Sequence, residues 1–283
     1  MIILIALGSA FMISIVNVLL KKLYQQASSR ELAPLNFIQI VIIMAVFMPF
    51  FYSFKPSAYV LAIMLIICIL DSLANYFYFK SIEYGEVSYV SIFMSLSPVF
   101  TLLIFTILVD FVSIRTLIGI LGIICSIYFL NLNDKKNLLE PFLNLTKNRN
   151  YYGIINAFLV GCSAVMVKLL FSTNAINPPT FFTIRCTFVL VAMIIFLKPR
   201  WALITKQIFL ESLMRSFFVI GNFLLYLYAV MYGNVVVVTT LVNTYPIFVI
   251  IFSYLLFKEK ITVKKSSAIL SVLFFIFVLS YTA

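Results

Sequence analysis

One stretch of this chain occurs twice. Residues Tyr78–Phe100 and Tyr226–Phe248, 148 positions apart, share seven residues in 23: Tyr78/Tyr226, Tyr84/Tyr232, Gly85/Gly233, Val87/Val235, Val90/Val238, Pro98/Pro246 and Phe100/Phe248. Valine and phenylalanine coincide easily in apolar segments. A Tyr-Gly pair followed 13 residues later by proline, in register, is much harder to match by accident. At an offset of 149 the repeat extends outward. Ser14, Val16, Val18 and Leu20 align with Ser163, Val165, Val167 and Leu169, and Ile120, Leu121, Ile127 and Leu130 with Ile269, Leu270, Ile276 and Leu279. The chain therefore has to build one unit two times.

The environment of that unit follows from composition. Hydrophobic residues make up 64% of the chain, charged residues 10%, and mean hydropathy is +1.16, far outside a soluble globular range. Polar breaks leave about ten apolar segments of roughly 20 residues, each long enough to cross a ~30 Å hydrocarbon core as a helix. The runs are continuous rather than alternating, which argues against a β-barrel. The first copy, 1–132, holds Met1–Leu20, Pro34–Phe54, Ser57–Lys80, Val87–Val109 and Ser113–Leu132. The second, 151–283, holds Tyr151–Phe171, Pro178–Leu197, Gln207–Met231, Val235–Phe257 and Val263–Tyr281, and 133–150 is the one long polar connection. Glu83-Tyr84-Gly85-Glu86 reads as a tight turn between the third and fourth segments. With no basic stretch ahead of it and no small-residue cleavage site behind it, the first segment is expected to be a retained helix.

Five segments per copy is an odd number, so the second copy enters the membrane from the opposite side to the first. The expected fold class is all-α integral membrane, ten transmembrane helices as two inverted five-helix repeats. Secondary transporters are often built this way, with the substrate site near the midplane between the halves.

Other classes are disfavoured. Histidine is absent, which removes the commonest general base and metal ligand. Cys68, Cys125, Cys162 and Cys186 fall singly in apolar segments and read as buried reduced thiols. With no paired carboxylates or activated nucleophile, the expectation is a non-enzyme with no catalytic residues, no metal and no cofactor. The formal charge of +11 sits singly or in pairs at segment ends, the pattern of membrane anchoring rather than of nucleic-acid binding.

Charges within apolar spans cost about 2.5–3.5 kcal/mol each on insertion scales and are functional candidates by default. Asp71 lies near the middle of the third segment, with Asn75 one turn on. It is either a site carboxylate or the structural partner of a nearby arginine. Arg185 and Lys168 lie toward one side, and either bind a substrate anion or tie helices together through backbone carbonyls. Arg215 lies toward the other side, close enough to a helix end to snorkel. Asn17, Ser95, Ser97, Asn156, Asn222 and Asn243 add mid-span polar groups that need a helix, water or a ligand as partner; Ser95 is the counterpart of Asn243. Tyr78 and Tyr226 are candidates to stack on an organic substrate. Pro98 and Pro246 each remove a mid-span helical hydrogen bond and are candidate hinges or gates.

These residues resemble a known family. The two five-helix repeats, the Tyr-Gly turn, Pro98 and Pro246, and Phe257-Lys258-Glu259-Lys260-Ile261 after the ninth segment are similar to the drug/metabolite transporter superfamily, in its EamA-like branch. By position the resemblance carries over Arg185, Lys168, the two prolines and Glu259. The chain departs from the family where Asp110 stands for a glutamate and where Ser266-Ser267-Ala268 stand in place of a glycine. The resemblance implies that segments one, three, four, six, eight and nine line a central cavity, with two, five, seven and ten outside.

The expected function is a secondary transporter moving a small organic metabolite by alternating access, with a proton or counter-substrate as coupling partner. One acid against three bases within the spans favours a substrate with an anionic group, such as an amino acid, a nucleotide-like metabolite or an S-adenosylmethionine-like zwitterion. A multidrug or toxic-metabolite exporter of the same fold is the near alternative, and a lipid-moving or structural membrane protein the distant one. Assigning loops alternately puts 15 Lys and Arg on one side and two, Lys55 and Arg115, on the other. The positive-inside rule then places both termini outside a bacterial inner or plasma membrane, whereas the resemblance implies both inside.

Overall fold

The computed structural model describes residues 1–84, 93–94, 96–131, 151–257 and 263–280. Ser95, Gly85, Glu86, Glu259 and the 133–150 connection lie outside the described residues. The described chain is helical: α1 Ile2–Leu23, α2 Ser29–Phe51, α3 Ala58–Tyr84, α4 Ser97–Leu108, α5 Ile114–Asn131, α6 Tyr151–Ser172, α7 Pro178–Leu197, α8 Lys206–Tyr232, α9 Val235–Val242, α10 Tyr245–Phe257 and α11 Val263–Ser280. Among the described residues, seven helices are long and apolar enough to cross a membrane, counting Val235–Phe252 as one span, and three apolar helices are shorter.

Local chemistry sets several boundaries. Asn177, Thr205 and Asn234 each accept a backbone N–H at the start of α7, α8 and α9, meeting donors that have no intrahelical partner. Hydropathy placed the start of α2 at Pro34; the helix begins five residues earlier. Ser28 caps the N–H of Arg30, and its hydroxyl also bonds the Glu31 carboxylate. The run Ser28-Ser29-Arg30-Glu31 is therefore a capping-box sequence, which draws a polar stretch into the helix. Pro34 and Pro49 lie inside α2.

The helices pack in a pattern that repeats when the two copies are exchanged. α1 runs along α8 and α3 along α6; α4 lies on α6, and α9 with α10 on α1. α2 packs on α7 and α5 on α11, each against its own counterpart. Close approach is achieved at glycines. A side chain on Gly161 of α6 would stand 2.9 Å from the backbone N of Thr101 in α4. One on Gly233, after α8, would stand 2.8 Å from the Ala229 carbonyl and 2.7 Å from Ile2. The α2/α7 pair is tied at both ends: Arg30 Nε donates to the Lys198 carbonyl at 2.6 Å, and the Lys55 N–H to the Ala175 carbonyl at 2.7 Å. The expectation of four buried thiols is corrected in part. Cys68 and Cys186 are buried, Cys162 is half-buried and Cys125 is exposed on a helix whose outer side carries apolar residues.

Candidate functional site

Pro246 does not kink a continuous helix. The ninth span breaks instead: α9 ends at Val242, Asn243 and Thr244 intervene, and α10 starts at Tyr245 with Pro246 in its first turn. Pro98 likewise sits in the first turn of α4. A proline there loses nothing, since first-turn N–H groups have no intrahelical acceptor; the expected mid-helix prolines are corrected to helix starts. The two starts meet. Asn243 Nδ2 lies 3.1 Å from Ser97 Oγ and 2.8 Å from the Thr239 carbonyl, which also accepts the Asn243 N–H at 3.0 Å.

The break in the ninth span and the start of α4 border one cavity of about 230 Å³. Of the sequence candidates, Asn17, Asp71, Asn75, Tyr78, Asn156, Arg185, Arg215, Asn222, Tyr226 and Asn243 line it, together with Ser97. Asn36 and Phe37 of α2 and four residues of α7 also form its wall. This corrects the expectation that the second and seventh segments lie outside, because α7 turns Arg185 inward to meet Asp71.

Asp71 and Arg185 form a buried ion pair through Oδ2 and Nε, each residue 5% exposed. The guanidinium also lies over the Phe223 ring, 4.5 Å from its centroid, and Phe223 stacks on Phe182 at 5.5 Å. Arg185 Nη1 is buried with no hydrogen-bond partner among the described residues. Around the pair, the asparagines bridge helices: Tyr78 Oη donates to Asn17 Oδ1 at 2.9 Å, Asn156 Nδ2 to the Ala74 carbonyl at 2.8 Å, and Ser9 Oγ to Asn222 Oδ1 at 2.7 Å. Asn75 Nδ2 turns back to the Asp71 carbonyl at 2.8 Å within α3. Asn222 is the counterpart of Ala74 at the offset of 148, so the α1/α8 and α3/α6 contacts carry hydrogen bonds at matching depth.

Arg215 does not snorkel. It is 3% exposed and lines the cavity, with Nε 3.4 Å from the Val16 carbonyl and its guanidinium 5.8 Å from the Phe79 ring centroid. Just past α1, burial pushes the Tyr24 hydroxyl well above its ordinary pKa, and it donates to the Phe79 carbonyl at 3.1 Å. Lys168 is absent from the cavity wall. Its ammonium donates to the carbonyls of Val230, Met231 and Gly233 at 3.0, 3.1 and 2.8 Å, where the end of α8 has unpaired acceptors and negative dipole.

Sequence reasoning passed over Asn36, Phe223 and Tyr245, all in the wall. The first had a readable signal: Asn36 and Gln39 lie three apart in an apolar segment. Both engage α8, Asn36 through Ser216 Oγ at 2.7 Å, and Gln39 through Ser212 and Ser216 at 2.9 and 3.0 Å. The aromatic residues had no such signal among 30 Phe and 16 Tyr.

The family model of EamA-like transporters matches residues 1–132 and 150–281, once over each copy of the repeat. No curated protein matches the chain. A solved crystal structure of a protein superposes with a TM-score of 0.78 at 12% identity, covering 100% of this chain and 97% of the other, a likeness of fold alone.

Proposed function

The chain belongs to the EamA-like transporter family, a multi-pass integral membrane protein of the drug/metabolite transporter superfamily, and from that premise we propose that it is a secondary transporter moving a small organic metabolite through the central cavity by alternating access. One observation carries the reading. Ten polar, charged and aromatic candidates from both copies converge on a single cavity, beside the helix broken at Asn243-Thr244 and the start of α4 at Ser97. Broken helices at the midplane between repeats are the usual makings of a transport site.

The seven long and three shorter apolar helices add to ten, and the packing pattern survives exchange of the copies. Both support two inverted five-helix repeats, 1–132 and 151–283, forming one transport unit. The cavity is smaller than the ~300–1,000 Å³ common for drug-sized ligands, which favours a metabolite of amino-acid size over the larger nucleotide-like or S-adenosylmethionine-like molecules. A proton or counter-substrate drives the cycle, and the protein performs no chemistry of its own.

Purified protein in phosphatidylcholine–phosphatidylglycerol vesicles should accumulate at least one member of a broad metabolite panel, read by mass spectrometry. If lipid is moved and no water-soluble solute is, the transporter reading fails. The basic face, reached by the ends of α1, α3 and α7, is assigned to the cytoplasm and the termini to the outside. A reporter fused at Ala283 that reads as cytoplasmic overturns this orientation.

A further inference from the structure

We propose that Arg215 is the anchor for the substrate's anionic group and that the substrate is an organic monoanion, a carboxylate. This rests on the transporter reading and deepens it.

The cations within the spans differ in what answers them. Arg185 has Asp71, and Lys168 has three carbonyls. Arg215 has no carboxylate among the described residues, since every described carboxylate is engaged elsewhere. Glu31 bonds Ser28, Asp71 pairs with Arg185, Glu83 bonds Ser29 and Lys80, Asp110 takes the Phe111 N–H, and Glu211 holds Lys22, Gln26 and Gln207. Among the described residues Arg215 is met by neutral groups alone, the Val16 carbonyl at a long 3.4 Å from Nε and the Tyr78 hydroxyl.

An unanswered guanidinium inside a membrane protein is costly, and an anion arriving from water relieves that cost. The Tyr78 hydroxyl stands beside it, but its one proton goes to Asn17 Oδ1, so the guanidinium N–H groups are left as the donors to an oxyanion. The lining holds two arginines and one aspartate, so a single negative charge balances it. That favours a carboxylate over a phosphate dianion. Asp71 and Tyr78 are seven residues apart on α3, which separates the ion pair from the anion anchor by roughly 10 Å. The duplication makes the vacancy plain: the counterpart of Asp71 is Val219, one turn along α8 from Arg215.

The test measures the unfolding midpoint of the full-length protein in detergent with benzoate, benzamide or phenyl phosphate, at constant ionic strength in chloride. Saturating benzoate should raise the wild-type midpoint by about 3 °C by mass action, benzamide should not, and phenyl phosphate should do so less. Arg215→Gln should abolish the benzoate shift, and Arg215→Lys should retain part of it. Val219→Asp keeps the arginine and supplies an i,i+4 carboxylate, so it should abolish the shift in a folded protein even if Arg215→Gln does not fold. A benzoate shift that persists in Val219→Asp, or equal stabilisation by benzamide, or no wild-type shift, overturns the anchor. A stronger shift with phenyl phosphate overturns the carboxylate assignment.

The vesicle assay separates the two readings. Solutes that move with no preference for acids over their amides sink the anchor alone. An Arg215-dependent benzoate shift with no solute moving sinks transport and leaves the anchor.

Discussion

Arg185 and Lys168 look alike as sequence, two cations within apolar spans and toward the same side of the membrane, yet the fold treats them in opposite ways. Arg185 faces the cavity and is neutralised by a carboxylate from the other copy, with Nη1 still unpartnered among the described residues. Lys168 faces away and closes the end of α8 with three charge-assisted bonds to backbone carbonyls. A charge in a span is evidence that something must answer it. Whether the answer is a side chain, a helix end or a ligand depends on which helix lies opposite.

That contrast can be broken experimentally. The largest effect is expected at the ion pair: Asp71→Ala leaves a buried guanidinium unpaired and should cost about 3–5 kcal/mol, read from detergent unfolding. The double variant Asp71→Ala/Arg185→Met should recover most of the loss; if it does not, the pair is not what couples α3 to α7. A smaller effect is expected at the helix end. Lys168→Met removes charged hydrogen bonds and should cost about 2–3 kcal/mol, while leaving the half-saturation concentration of any transported solute unchanged. A rise in that concentration would place Lys168 at the site after all. Smallest is the bridge between α1 and α8: Ser9→Ala with Asn222→Ala should show a coupling of about 0.6 kcal/mol in a double-mutant cycle, the average for interhelical hydrogen bonds in membranes.

Much of the architecture was legible because it depends on periodic, local properties. Continuous apolar runs can satisfy their backbone in lipid only as helices, and the in-register Tyr-Gly and proline matches expose the duplication without any contact being known. The polar candidates were legible for the same reason, as exceptions to an apolar rule. What failed was local detail that depends on competing partners. The start of α2 was misplaced because hydropathy ignores the capping box at Ser28 and Glu31. Pro98 and Pro246 were read as mid-helix because a broken helix and a kinked one look identical until the residues flanking the break find partners, as Asn243 does at Ser97 and Thr239.

By itself, then, the sequence determined that this is an apolar, duplicated, helical chain with a few costly charges within its spans. Only the tertiary structure decided which charge answers which. Asp71 is 114 residues from Arg185, Lys168 is 65 from Gly233, and Arg215 is 199 from Val16. Such pairings are set by how helices pack against one another. Packing depends on the shape of whole surfaces, on close approaches such as Gly161 against α4, and on the geometry of broken ends, none of which is written in the spacing of residues along the chain.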